Sequence, residues 1–109
     1  MSRVLQYVSA DGLNPFERWF SGLATPAALK VTTALARLAA GNISALKSVG
    51  QGVHELRIDF GPGLRVYLGM DGNEWVILLG GSTKARQDGA IAQARSRWKD
   101  YRLRKRRGE

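Results

Sequence analysis

A chain of 109 residues, 44% of them hydrophobic, is long enough for one domain with its own core and too short for two. It has no cysteine and a single histidine, His54, which excludes disulfides, thiolate metal sites and histidine clusters, and no cofactor is expected. Its 17 basic residues against 9 acidic ones leave a net charge of +8, which points to polyanionic partners. The excess lies toward the C-terminus. From Arg95 to Arg107 Asp100 is the only acidic residue, and residues from about 102 to 109 form a basic tail. Such a tail attracts phosphates without choosing among them. The N-terminal residues lack an apolar export segment, and no run approaches the ~18 apolar residues of a membrane span. A cytoplasmic protein without membrane contact is the expectation.

In chain order, Val4–Val8 reads as a short strand ended by Ala10-Asp11-Gly12. Asn14 then Pro15, with Glu17 three residues after Asn14, is the signature of a capped helix start. That short helix turns Phe16, Trp19 and Phe20 toward a core. Thr25-Pro26 repeats the signal and opens a helix to Ala40, with Ala28, Val31, Leu35 and Leu38 on one stripe, and Gly41-Asn42 stops it. The two helices are expected to pack antiparallel against a sheet. Asn42–Gly52 reads as a loop with Lys47 in its middle. Strands are expected at Val53–Phe60, Leu64–Gly69 and Glu74–Leu79, the last two joined by a tight Asp71-Gly72 turn. Gly80-Gly81 reads as a turn. A final helix from about Asp88 to Leu103 buries Ile91, Ala94, Trp98 and Tyr101, and Trp19, Trp75 and Trp98 are assigned to the core. The order β-α-α-β-β-β-α, without repeats, makes a single α+β domain spanning residues 1–109.

Alternation along the paired strands separates two faces. Leu56, Ile58 and Phe60 alternate with Glu55, Arg57 and Asp59, and Leu64, Val66 and Leu68 alternate with Arg65 and Tyr67. A turn centred on Pro62 sets Asp59 opposite Arg65 and Arg57 opposite Tyr67. The Asp71-Gly72 turn sets Leu68 opposite Trp75 and Val66 opposite Ile77, extending the apolar face. The other face then offers guanidinium groups beside an aromatic ring, which suits a phosphate backbone and an unstacked base. A basic loop with Lys84 and Arg86 follows.

Metal-free RNA cleavage needs the 2′-hydroxyl deprotonated, the phosphorane's charge stabilised and the leaving 5′-oxygen protonated. Arginine holds its proton, so Arg57 and Arg65 are candidate electrostatic clamps, and Lys84 a third clamp or the acid. Lys47, Tyr67 and Arg86 are candidate RNA-binding residues, Tyr67 by stacking a base or relaying a proton. Plainer readings stand beside these. Arg65 pairs with Asp59, Arg57 caps the sheet edge, and Lys47 is a solvated charge; an exposed pair is worth only ~0–1 kcal/mol. His54 shares the parity of Leu56 and Ile58 and reads as a strand-start or rim residue.

The segments ELRIDFGPGLRVY, LLGGSTKARQDGAI and ARSRWKDYRLRK resemble the RelE/ParE superfamily of bacterial toxins, and within it the small HigB-like addiction module killer proteins. The likeness runs from Asn14-Pro15-Phe16 to Trp98-Lys99-Asp100-Tyr101. It implies a RelE-like fold, with two helices packed on a small antiparallel sheet and a C-terminal helix. It implies a toxin of a type II toxin–antitoxin system, neutralised by a helix-turn-helix antitoxin. RelE- and HigB-like members are endoribonucleases that cut mRNA, usually on the ribosome, and so inhibit translation. ParE-like members act on DNA gyrase instead. Arg65, in the Gly-x-Arg-Val-Tyr pattern, matches the position of a catalytic arginine, and Lys84 a basic position near the scissile phosphate. Leu64 stands where an aromatic is common, and Ser82 where glycine is. The loop after the last strand offers no obvious tyrosine or histidine to act as a strong base. Three classes remain open from the residues: an RNA-cleaving toxin, a gyrase-directed or other protein-binding toxin using the final helix, and a non-catalytic basic nucleic-acid-binding module.

Overall fold

In the computed structural model, which describes residues 2–73 and 75–109, the chain runs β1 (Arg3–Gln6), α1 (Pro15–Ser21), α2 (Thr25–Ala39), β2 (Leu46–Ser48), β3 (Val53–Ile58), β4 (Leu64–Asp71), β5 (Trp75–Thr83) and α3 (Gln87–Arg106). The α+β class is as expected. The sheet is mixed rather than antiparallel, with strand order β1-β5-β4-β3-β2 and β1 lying parallel to β5. A parallel neighbour needs a long crossover, and here everything between Gln6 and Trp75 supplies it.

Local sequence sets the helices. Asn14 accepts from the Glu17 N–H at 3.0 Å, with Pro15 in the first turn, as the sequence requires. At α2 the cap is Ala24, without a side-chain bond, so Thr25 does not cap and Pro26 alone sets the start. α2 buries Val31 and Leu38, and α1 buries Phe16. α1 lies on β5, and α2 lies against β1 and β3. Both helices contribute to one core with Leu56, Val66, Leu68, Val76 and Leu78.

The opposite face is buried as well. α3 covers β4 and β5 with Ala94 and Trp98, packed with Tyr7, Val53, Tyr67, Ile77 and Leu79, while Ile91 and Tyr101 flank them. Trp98 is in the core as expected; Trp19 and Trp75 are half-buried at its edges.

Both hairpin registers differ from expectation. Arg57 faces Arg65 and Glu55 faces Tyr67, because Asp59 and Phe60 leave the strand and the centre of the reversal moves from Pro62 to Gly61, which shifts each partner by two. A shift of two keeps every side chain on its face. The second hairpin does not preserve faces. β4 continues to Asp71, which pairs with Trp75, so Leu68 meets Leu78 instead of Trp75, and Gly69 instead of Val66 meets Ile77. Trp75 and Ile77 consequently lie on the α3 face. The expected start of that strand, Glu74, lies outside the described residues.

Gly80-Gly81 is not a turn but the interior of β5, next to a register shift at Tyr67/Leu68. A Cβ on Gly81 would lie 2.2 Å from the Trp19 ring, and one on Gly69 would lie 2.3 Å from the Trp98 ring. Each glycine is the floor on which an indole rests, one on each face. The expected 42–52 loop contains β2, whose Lys47 pairs with Glu55 across the edge of the sheet. Its composition carries no β-branched alternation, so only the partner strand reveals it.

Candidate functional site

At the end of the sheet where β3 turns into β4, a cleft of about 690 Å³ gathers Lys47, Arg57, Arg65 and Lys84, together with Asp59 and Gly63. Three separated pieces of sequence deliver these cations. β2 supplies Lys47, the β3–β4 hairpin supplies both arginines, and the turn after β5 supplies Lys84. The Lys84 N–H donates to the Gly63 carbonyl at 3.0 Å, which locks that turn against the hairpin tip. Gly63 has φ +84°, and a Cβ there would crowd the Lys84 Cβ at 3.3 Å, so glycine both makes the turn and admits the lysine.

Arg65 is the most constrained of the four. It is 6% exposed and neighbours Glu55, itself 4% exposed, with Nε 3.3 Å from Oε1. The pair is in contact but not aligned as a hydrogen bond, and Nε has no other partner among the described residues. The guanidinium also donates to the Leu64 carbonyl at 3.2 Å. Arg57 reaches the same carboxylate at 3.8 Å with its side chain 54% exposed. One buried acid therefore holds two facing arginines, which otherwise repel across the strands. Asp59, expected opposite Arg65, lines the cleft instead, and Glu55 takes the pairing role. Glu55 had a sequence signal: it shares the parity of Arg57.

Tyr67 stands elsewhere. It is fully buried in the α3-side core, so its ring has no face open for a base. Ser82 donates to the Thr83 carbonyl at 2.9 Å, and the Tyr67 hydroxyl donates to Ser82 Oγ, also at 2.9 Å. Burial pushes the Tyr67 phenol above its ordinary range. The ring thus sits behind the cleft, bracing the strand end that carries Lys84. Arg86 is exposed in the turn before α3 and does not line the cleft. His54 is half-buried at the far end of β3, beside Trp98 and Tyr101 in a separate cleft of about 680 Å³, and its Nδ1 has no partner among the described residues.

Chemically, the site offers a fixed guanidinium, a mobile one and two ammonium groups around a space open to solvent. That suits an oxyanion with several acceptor oxygens, a phosphate above all. Among the described residues no group of three or more His, Asp or Glu side chains is arranged to hold a metal ion. Nor is any helix among them long and apolar enough to cross a membrane.

No protein-family pattern matches the chain. An uncharacterized protein of Haemophilus influenzae is 44% identical to it over 81 residues, which span 73% of this chain and 82% of that one. At that identity and coverage, the chain belongs to the same family as this Haemophilus influenzae protein.

Proposed function

We propose that the protein is the toxin of a type II toxin–antitoxin pair, a RelE-like, HigB-like endoribonuclease that cuts mRNA in the cytoplasm, on the ribosome, and is held inactive by a helix-turn-helix antitoxin. The observation that carries this reading is the convergence of Lys47, Arg57, Arg65 and Lys84 on one cleft, with Arg65 held by a buried carboxylate. The motif resemblance supports it at Arg65 and Lys84.

In the proposed reaction the 2′-oxygen attacks the adjacent phosphorus, and the bond from phosphorus to the 5′-oxygen breaks. The products are a 2′,3′-cyclic phosphate and a free 5′-hydroxyl. The 2′-proton passes to solvent or to Asp59, the one carboxylate lining the cleft among the described residues. Arg65 and Arg57 stabilise the extra negative charge of the phosphorane, and Lys84 donates a proton to the departing 5′-oxygen. Because Arg65 is fixed before substrate arrives, little reorganisation is required of it in the transition state.

Expression of the chain alone is expected to arrest growth, with mRNA cut at internal sites and plasmid topology unchanged. Arg65→Lys keeps the charge but loses the planar fork, and should slow cutting about 10²–10³-fold. Gyrase-type DNA breaks over intact message would replace this reading with the ParE-like one. Wild-type cutting by Arg65→Lys would remove Arg65 from the chemistry.

A further inference from the structure

The cationic cleft does not end at the hairpin. A second cleft of about 360 Å³ lies between α2 and β3, and the two share Ser44, Ala45, Arg57 and Asp59 as walls. Together they form one groove that runs from Lys84 across the β2 edge to Lys30 and Arg37. These two α2 residues are seven apart, two helical turns, so they share a face and stand about 10 Å apart along the axis.

Among the described residues that line the groove, charge is one-sided: Lys30, Arg37, Lys47, Arg57, Arg65 and Lys84 stand against Asp59, with Glu55 buried beside Arg57 and Arg65 only. Lys30, Arg37, Lys47 and Lys84 have no carboxylate within ion-pair distance among the described residues, whereas Arg104 and Lys105 on α3 are both paired. Lys30 instead stands 5.9 Å from the centre of the Phe60 ring. A surface that needed these charges only for solubility would intersperse them with acids. A run of unpaired cations spaced along a narrow channel matches a chain of phosphates.

We propose that this groove is the track of a single-stranded polynucleotide, with Lys30 and Arg37 on α2 contacting phosphates remote from the scissile one. The proposal rests on the ribonuclease reading for which phosphate is cut, but not for the binding itself. The volume beside α2 is at the small end of ligand pockets, which favours one strand over a duplex. Since both side chains are exposed and outside the core, their replacement tests binding without removing packing.

The test is equilibrium binding of the full chain to a 2′-O-methyl oligoribonucleotide of about ten nucleotides, which cannot be cut, and to a 2′-O-methyl dinucleotide. For Lys30→Gln/Arg37→Gln, the slope of log affinity against log salt for the longer strand should fall by about 1.4, two contacts at ~0.7 each, with dinucleotide binding unchanged. Lys30→Arg/Arg37→Lys should keep the wild-type slope. An unchanged slope in the Gln variant, or equal losses on both oligonucleotides, would overturn the track. If the wild-type chain binds neither probe, the track falls, and the ribonuclease reading is decided separately by cleavage of ribosome-bound message. If the chain binds as expected but leaves ribosome-bound message intact, only the ribonuclease reading falls. Preference for a duplex of equal length would overturn the assigned ligand.

Discussion

Arg65 shows how burial changes what a substitution measures. On an exposed polar face, Arg65→Ala would test chemistry alone. In the folded chain it also strands the Glu55 carboxylate, which is 4% exposed, beside a hole. Breaking a buried ion pair from one side costs about 3–5 kcal/mol, far more than the ~1 kcal/mol or less of a surface pair. Arg65→Ala is therefore expected to lower the melting temperature strongly. Adding Glu55→Gln should recover most of that loss without restoring RNA cutting. Melting curves and cleavage rates on the same preparations check both halves. Full activity in the stable double variant would make the pair purely structural.

Among the elements, helices were far more legible in the sequence than strands. Asn14-Pro15 states its own cap, and the stripes Val31-Leu35-Leu38 and Ala94-Trp98-Tyr101 follow from a 3.6-residue period that needs no partner. Strand register is a property of two segments at once. The Asp71-Gly72 dipeptide suggested a tight hairpin, yet Asp71 remains in β4, where Tyr101 and Lys105 bind its carboxylate. Tertiary contacts from α3 outweighed local turn chemistry. The same helix hides Tyr67, whose position next to Arg65 in sequence looked like an accessible ring. At the cleft, Arg57 and Arg65 were legible by parity and Lys84 by motif, whereas Lys47 read only as a loop cation and Glu55 was not singled out, since only the observed register sets it between Arg57 and Arg65.

The end of α3 belongs to this scale as well. Residues from about 102 onward read as a basic tail and the helix as ending near Leu103, but the helix continues to Arg106. Arg104 pairs with Asp100 at 3.0 Å, donates to the Val8 carbonyl and lies over the Tyr7 ring, while Lys105 pairs with Asp71. Deleting Arg104–Glu109 should thus cost roughly 1–3 kcal/mol as well as weaken RNA binding. Deleting only Arg106–Glu109 should leave the melting temperature near wild type. Thermal melts of both truncations test this; equal stability would show that Arg104 and Lys105 are not anchors.

For the molecule as a whole, Asp71 links the β4–β5 hairpin to α3 and makes stability depend on pH. Hydrogen bonds from Lys105 and then Tyr101 hold its carboxyl below the ordinary range. A depressed acid contributes stability above its unfolded value, and that contribution is lost as pH falls through the folded one. The melting-temperature gap between wild type and Asp71→Asn should accordingly be steady near neutrality and close below about pH 4. Tyr101 is pushed up to about 12 by burial and by its bond to Asp71. Its contribution has the opposite sense, full below about pH 10 and lost as pH rises toward the folded value. A gap that stays constant through the acid range would remove Asp71 from the account.

The parallel placement of β1 beside β5 also sets an order in time. Arg3 pairs with Trp75, and the Tyr7 hydroxyl reaches Asp100, 93 residues away. At about 5–20 residues per second, the first strand waits several seconds during synthesis for the strand it will pair with, and longer for the helix that seals it. Such non-local closure is slow in any case, because loop entropy is lost before the contact is gained. The β3–β4 hairpin bearing both arginines forms early and locally, but the support behind it arrives last. Whatever the cleft grips therefore meets a finished site only once α3 has formed and packed behind it.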